Sequence, residues 1–204
     1  MIVCLVTERH GADPVEQASL AVQAGVDLIQ VRERDLEARA LADMVQAILG
    51  AVAGSATRVI VNDRLDVALA CGAHGVHLRG DSIPPRLARA RAPEGFLIGR
   101  SVHGVAEARD TAGDVDYLIA GTVFPSASKT EGHPCLGADG LRAIVRAVRV
   151  PVLAIGGVTV DRLAAVAACG AAGIAAIGLF RDAMPSPQAL ADWRTRFDSA
   201  AAAS

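Results

Sequence analysis

Short runs of aliphatic and β-branched residues alternate along the chain with longer stretches whose apolar residues recur at helical spacing. The short runs predict eight strands, at residues 2–7, 27–32, 58–62, 75–78, 96–99, 117–121, 152–155 and 173–177. The longer stretches predict eight helices, at residues 14–24, 36–52, 65–71, 83–92, 105–111, 141–148, 160–169 and 188–200. Each predicted strand is therefore followed by one predicted helix.

This alternation identifies the fold class. A βα unit of roughly 25 residues, repeated eight times, is typical of a parallel sheet covered by helices. An open doubly wound sheet of this length usually has fewer strands, so the pattern favours a single (β/α)8 TIM barrel with eight parallel strands. No linker or low-complexity segment divides residues 1–204, which predicts one domain. The Ala-rich end, residues 199–204, is expected to fray.

Composition and charge exclude several partners. The chain of 204 residues has 20 basic and 22 acidic side chains, a formal net charge of −2, and only 3% aromatic residues. This near-neutral balance, without a basic block, argues against nucleic acid as a partner. No stretch approaches the ~20 apolar residues of a membrane span, and residues 1–7 resemble a strand rather than a signal peptide. We expect a cytoplasmic protein with no membrane partner, and a homo-oligomer stays open.

Polar residues gather where the predicted strands end, and in a TIM barrel the carboxyl ends of the strands carry the functional groups. After the second strand, Gln30, Arg32 and Arg34 point to one side, because strand side chains alternate with a period of two. The third and fifth strands lead into Asn62 and Ser101. Asp63 follows Asn62, and the loop after the sixth strand carries Ser126, Ser128 and Lys129.

Glycines follow the last two predicted strands. Gly157 comes after the seventh, and Ile177 and Gly178 come at the end of the eighth. Glycine lets backbone N–H groups approach an anion closely, and the loops after strands seven and eight are the usual phosphate-binding loops of this fold. The sequence therefore predicts a neutral phosphate site on this side of the barrel and a phosphorylated small molecule as ligand.

The opposite side of the predicted rim is cationic. Arg32, Arg34 and Lys129 supply positive charge, and Asp63 adds a carboxylate. Cations and a carboxylate together suit a Mg²⁺-bound diphosphate, because the carboxylate holds the metal while the cations bind the phosphate oxygens. The expected cofactor is Mg²⁺, with Asp63 as its protein ligand.

Six motifs, in order along nearly the whole chain, carry a resemblance to a known family. They are QVRER at 30–34, NDR at 62–64, GVHL at 75–78, IGRSVH at 98–103, GTVFPSASK at 121–129 and AIGGV at 154–158. Together they resemble the thiamine-phosphate synthase/TenI superfamily of TIM barrels.

The resemblance to the synthases implies a transferase that joins hydroxymethylpyrimidine diphosphate to thiazole phosphate and releases diphosphate. It implies catalytic roles on the diphosphate for Arg32, Ser101 and Lys129, with Gln30, Arg34 and Asn62 as further diphosphate ligands and Asp63 as the Mg²⁺ ligand. It also places the thiazole phosphate beside Ser126, Ser128, Gly157, Ile177 and Gly178.

Four residues, at three places in the chain, depart from the synthase pattern. Arg34 stands where the synthases have Lys, which keeps the charge and changes its geometry. His74 stands where the resemblance expects an Asp that is the second metal ligand, and imidazole is a poor ligand for Mg²⁺. Arg79-Gly80 replaces a Gly-Gln pair. A weakened Mg²⁺ site is therefore expected.

TenI-type thiazole tautomerases are the alternative, since they bind a similar thiazole phosphate and shift a proton without a metal. Their catalytic His follows the Gly that ends the sixth strand, where this chain has Thr122. Gln30, Asp63 and Lys129 have no evident use in a metal-free tautomerase, which favours the synthase. A non-catalytic thiazole-phosphate-binding paralogue and a different phosphate-binding barrel stay open.

Cysteines and the remaining histidines add no further site. Cys4, Cys71, Cys135 and Cys169 have no C-x-x-C spacing, so they predict neither a zinc site nor a disulfide framework. The sequence leaves open the roles of His77, His103, His133 and Cys135.

Overall fold

A closed barrel of parallel strands forms the centre of the protein. The computed structural model describes residues 1–9, 13–126, 134–181 and 184–203. The strands are β1 (Ile2–Val6), β2 (Leu28–Val31), β3 (Arg58–Asn62), β4 (Gly75–Leu78), β5 (Leu97–Val102), β6 (Tyr117–Gly121), β7 (Val152–Ile155) and β8 (Gly173–Ala176). Each pairs with its neighbours in chain order, and β1 pairs with β8 to close the barrel. The predicted eight-stranded TIM barrel is confirmed.

Helices connect the strands on the outside of the barrel. They are α1 (Pro14–Ala24), α2 (Ala38–Ala51), α3 (Leu65–Cys71), α4 (Pro85–Arg89), α5 (Val105–Thr111), α6 (Gly137–Ala147), α7 (Leu163–Ala167), α8 (Gly178–Arg181) and α9 (Pro187–Ala202). Short 3₁₀ turns occur at Ala112–Asp114 and Val160–Arg162. Within the described residues, no helix is both long and apolar enough to cross a membrane.

Local sequence signals explain the ends of α1. The Asp13 carboxylate accepts a hydrogen bond from the backbone N–H of Val15 at 2.9 Å, and Pro14 occupies the first helical position, where no N–H is needed. Gly25 ends the helix with φ of 87°, a left-handed conformation that glycine adopts without a steric penalty. The predicted bounds of this helix are therefore confirmed.

The barrel interior is a packed core. Alternate strand side chains point inward, and they form a buried inner cluster of Cys4, Val6, Leu28, Ile60, Tyr117, Ile119, Leu153 and Ala175. A Cβ added at Gly99 would lie 2.2 Å from Cζ of Tyr117, so the glycine makes room for the aromatic ring. Because side chains fill the barrel interior, the space for a ligand lies at the rim, where the strands have their carboxyl ends.

Some element bounds differ from the prediction. The sequence missed α8, because four residues are too few to show a helical period. Helix α6 begins at Gly137 rather than at residue 141, since its first turn is Gly-Ala-Asp-Gly and lacks the apolar repeat. Helix α9 continues to Ala202, so the tail expected to fray from residue 199 is helical through Ala202. Alanine is the strongest helix former, which accounts for this extension.

Candidate active site

Four polar side chains on neighbouring strands form an inner polar layer at the barrel mouth: Gln30, Asn62, His77 and Ser101. Asn62 is in register with His77, and His77 with Gly99, which lies two residues before Ser101 on the same face of β5. Gln30, Asn62 and His77 are buried. Nε2 of Gln30 makes no hydrogen bond within the described residues, although a buried amide normally has a partner. A ligand oxygen at the mouth would supply that partner.

His77 holds Ser101. Nε2 of His77 lies 2.9 Å from Oγ of Ser101. Burial, together with the smaller effect of the positive charges of Arg100 and Arg32, lowers the pKa of His77 to about 3. The ring is therefore neutral at ordinary pH. A neutral imidazole has one donor and one acceptor nitrogen, so Nε2–H can donate to Ser101 and leave the serine hydrogen free for a ligand.

The backbone of Arg32 is fixed by the loop between β1 and α1. Its N–H donates to Oγ1 of Thr7 at 3.0 Å, and that hydroxyl donates to Oε1 of Glu33 at 2.8 Å. Burial and the neighbouring charge of Arg34 lower the pKa of Arg32. Arg79 also contributes to this shift, which indicates that the three guanidinium groups share one region of the rim. This region is the cationic side of the site.

Asp63 stands at the end of β3 in an unusual backbone conformation. Its φ is 60°, which non-glycine residues seldom adopt and which often occurs at functional positions. Its N–H donates to the carbonyl of His77 at 2.9 Å. Its carboxylate turns toward Arg79, whose backbone N–H lies 3.5 Å from Oδ1 and whose Nη1 lies 3.7 Å from Oδ2.

Asp81 is a second carboxylate in this region, and sequence reasoning missed it. Nη2 of Arg79 lies 2.5 Å from Oδ2 of Asp81, so the same guanidinium contacts both Asp63 and Asp81. Arg100 anchors the loop that carries Asp81 by donating to the carbonyls of Gly80 at 2.8 Å and Ile83 at 3.2 Å. Its place in the sequence could have identified it, because Asp81 follows β4, and β4 ends next to the end of β3.

The expectation that His74 stands in the position of a second metal ligand, and so weakens a Mg²⁺ site, does not fit its place in the structure. His74 precedes β4 and lies at the amino end of the barrel, whereas Asp63 follows β3 at the carboxyl end. Four residues of extended strand, about 13 Å, separate the two levels. Nδ1 of His74 accepts a hydrogen bond from the backbone N–H of Val59 at 3.0 Å, and the residue lines a groove with Arg58 and Phe96. The substitution at 74 therefore leaves the carboxylates at the rim untouched.

Glycines shape the loops after β7 and β8. Gly156 and Gly157 have φ of 94° and 61°. A Cβ on Gly157 would lie 2.4 Å from the carbonyl oxygen of Pro125, so the loops after β6 and β7 pack backbone to backbone. Ser126 is half-buried beside this contact, and Gly178 begins α8 in the open. The absence of a side chain at Gly157 is therefore needed for the packing of these two loops, as well as for the expected close approach of a phosphate.

Several expected residues cannot be placed. Ser128, Lys129 and His133 lie outside the described residues. His103 is described: its ring Nδ1–H donates to the carbonyl of Gly121, and its backbone N–H donates to the Glu107 carboxylate. These contacts give His103 a structural role. Cys135 is exposed.

Comparison with known proteins identifies the family. The family described as thiamine monophosphate synthase matches residues 3–180. The chain belongs to this family. A thiamine-phosphate synthase of Methanoculleus marisnigri is 42% identical over 172 residues, covering 84% of this chain and 82% of that protein. One of Anaeromyxobacter dehalogenans is 40% identical over 194 residues, covering 95% of this chain and 87% of that protein.

Solved structures agree with this membership. Thiamine phosphate pyrophosphorylase from Pyrococcus furiosus superposes with a TM-score of 0.85 at 32% identity, covering 98% of this chain and 96% of that one. A 3-hexulose-6-phosphate synthase superposes with a TM-score of 0.69 at 20% identity and covers 96% of this chain and 99% of that one. At that lower identity, the second likeness shows the shared barrel alone.

Proposed function

We propose that the protein is a thiamine-phosphate synthase, a transferase that joins hydroxymethylpyrimidine diphosphate to thiazole phosphate. The observation that carries this proposal is the pairing of charges at the rim. Arg32 and Arg34 lie on one side with Asp63 and Asp81 nearby, whereas glycine-rich loops form the other side. A diphosphate leaving group, which carries several negative charges, suits the cationic side, and a single phosphate group suits the glycine-rich loops.

The reaction exchanges one bond for another. The bond between the pyrimidine methylene carbon and the diphosphate oxygen breaks, and the electron pair leaves with the diphosphate. The thiazole nitrogen supplies the electron pair of the new C–N bond. No protein base has to remove a proton, so catalysis depends on stabilising charge on the leaving group.

The residues around the diphosphate supply that stabilisation. Arg32 is partly removed from water, which strengthens its attraction for a developing negative charge. Ser101, oriented by neutral His77, can donate its hydroxyl hydrogen to a diphosphate oxygen. The buried amide N–H₂ of Gln30, which has no hydrogen-bond partner in the described part of the chain, can donate to another ligand oxygen. Lys129 belongs to this group by the family resemblance.

The carboxylates at the rim fit Mg²⁺. The described residues hold no group of three or more His, Cys, Asp or Glu side chains that could bind a metal ion. Mg²⁺ commonly binds through one or two carboxylates and completes its shell with phosphates and water, so Asp63 and Asp81 suit an ion that is shared with the diphosphate. Such an ion would neutralise the leaving group. We infer that Asp63 and Asp81 hold it.

The alternative tautomerase chemistry requires different groups. The resemblance places its catalytic His where this chain has Thr122, and Thr122 has no proton-transferring side chain of suitable pKa. A cytoplasmic location and self-association stay predictions.

The test offers the protein both reactions side by side. Hydroxymethylpyrimidine diphosphate and thiazole phosphate are incubated with Mg²⁺, and thiazole carboxylate phosphate is incubated in EDTA. We expect coupling in the first mixture and no isomerisation in the second. Metal-free isomerisation without coupling would establish the tautomerase instead. Binding of thiazole phosphate without either reaction would establish a non-catalytic paralogue.

A further inference from the structure

One guanidinium group occupies the space between the two carboxylates at the rim. Nη1 of Arg79 lies 3.7 Å from Oδ2 of Asp63, and Nη2 lies 2.5 Å from Oδ2 of Asp81. The planar fork of arginine suits two acceptors at once. The carboxylate oxygens that a metal ion would need are therefore already turned toward a cation that belongs to the chain.

We propose that Arg79 is an internal counter-cation that competes with Mg²⁺ for Asp63 and Asp81, and thereby sets the metal affinity of the site. The inference rests on the proposed function, because it assumes that these carboxylates hold the ion. A divalent cation and a guanidinium repel each other at such short range, so the ion binds only when the Arg79 side chain moves away.

The contacts of Arg79 are suited to such an exchange. The side chains of Arg79, Asp63 and Asp81 are 40%, 27% and 70% exposed, and exposed ion pairs are weak. Displacing Arg79 therefore costs little. Asp63 keeps its orientation meanwhile, because its N–H bond to the carbonyl of His77 does not involve the Arg79 side chain.

The displaced Arg79 side chain has a second role at the rim. The charge of Arg79 acts on Arg32, which places the two guanidinium groups in one region of the rim. Once Mg²⁺ has taken the carboxylates, Arg79 is free to contact the diphosphate beside Arg32. Arg79 thus bridges the two carboxylates before a metal ion binds and adds positive charge to the site afterwards.

The test is a metal titration of the substrate-free protein. Mn²⁺ is the probe, followed by electron paramagnetic resonance, and Mg²⁺ is measured by competition. We compare the natural chain with Arg79→Gln, Asp63→Asn and Arg64→Gln. The last is a matched control, since Arg64 adjoins Asp63 and is 35% exposed, yet its guanidinium pairs with Asp66 at 2.7 Å.

We expect Arg79→Gln to lower the dissociation constant about threefold to tenfold, the size expected when two exposed ion pairs no longer compete. Asp63→Asn should abolish binding, and Arg64→Gln should leave it unchanged. An unchanged constant in Arg79→Gln, or an equal gain in Arg64→Gln, would overturn the competition and leave the proposed function intact. Absence of Mn²⁺ binding in every variant would overturn the competition in the substrate-free protein, and the Mg²⁺ dependence of coupling, measured in parallel, then judges the ion shared with the diphosphate and the proposed function.

Discussion

The imidazole of His77 and the hydroxyl of Ser101 form a 2.9 Å hydrogen bond beneath the barrel mouth. The ring is buried, and its Nδ1 has no partner within the described residues. Because burial lowers the pKa of His77 to about 3, the pair cannot act as an acid or base near neutral pH. His77 is therefore a positioning residue for Ser101.

A first prediction concerns the pH dependence of stability. His77 has a pKa of about 3 in the folded chain and an ordinary value of 6.5 in the unfolded chain. Between these two pH values, the unfolded chain binds a proton at His77 and the folded chain does not. Stability contributed by this group is full above pH 6.5 and is lost as the pH falls toward 3. From pH 7 to pH 5, the free energy of unfolding should fall by about 2 kcal/mol on this account.

His77→Gln tests this, because it keeps a neutral hydrogen-bonding side chain and removes the titration. Urea unfolding at pH 7 and pH 5 should show a smaller loss in the variant than in the natural chain. Equal losses in both proteins would contradict the assignment.

A second prediction concerns Thr7, which supports the backbone of Arg32. Thr7→Val keeps the shape and removes both hydrogen bonds of the hydroxyl, leaving the Arg32 N–H and the Glu33 carboxylate without this partner. We expect about 1–3 kcal/mol of lost stability together with a clear fall in kcat. Thr57→Val is the matched control, since buried Thr57 donates to the carbonyl of Val26 away from the rim. Thr57→Val should lower the free energy of unfolding and leave kcat unchanged. Equal kcat values in the two variants would contradict the role of Thr7.

The third prediction concerns Arg32 itself. If its guanidinium stabilises the departing diphosphate, Arg32→Ala should raise the activation barrier by ~2.7–4 kcal/mol, as for other groups aimed at a developing charge. The fall should appear in kcat, because the charge is greatest in the transition state. Steady-state kinetics with saturating thiazole phosphate measure it. A variant with raised KM and unchanged kcat would show that Arg32 only binds the substrate.

The sequence was sufficient to predict the barrel and most of the polar residues at its rim. The βα repeat placed Gln30, Asn62 and Ser101 at the ends of their strands, and the carboxyl ends of all barrel strands meet at one rim. It was not sufficient for contacts made by long side chains. Nothing in the sequence says that Arg79 reaches both Asp63 and Asp81, since that depends on where two loops meet in space.

His74 shows a different limit. A motif comparison placed it with the metal ligands, although it precedes β4 and faces the other end of the barrel. Register along a strand determines which end a residue occupies, and His74, level with Val59, lies four positions or about 13 Å below Asp63.

A fourth prediction follows from that correction. His74→Asp should leave the Mg²⁺ concentration for half-maximal coupling unchanged, because the new carboxylate would lie at the amino end of the barrel. Asp81→Asn should raise that concentration, because it removes a carboxylate beside Asp63. The measurement is the coupling rate as a function of Mg²⁺. A lower Mg²⁺ requirement in His74→Asp would contradict the proposal that the rim carboxylates hold the ion.

The most direct test of the account is product stoichiometry. The purified protein is mixed with hydroxymethylpyrimidine diphosphate, thiazole phosphate and Mg²⁺, and thiamine phosphate and diphosphate are quantified over time. The account predicts that the two products appear in equal amounts and that Asp63→Ala forms neither at a comparable rate. Release of diphosphate without thiamine phosphate, or no product from the natural chain, would contradict it.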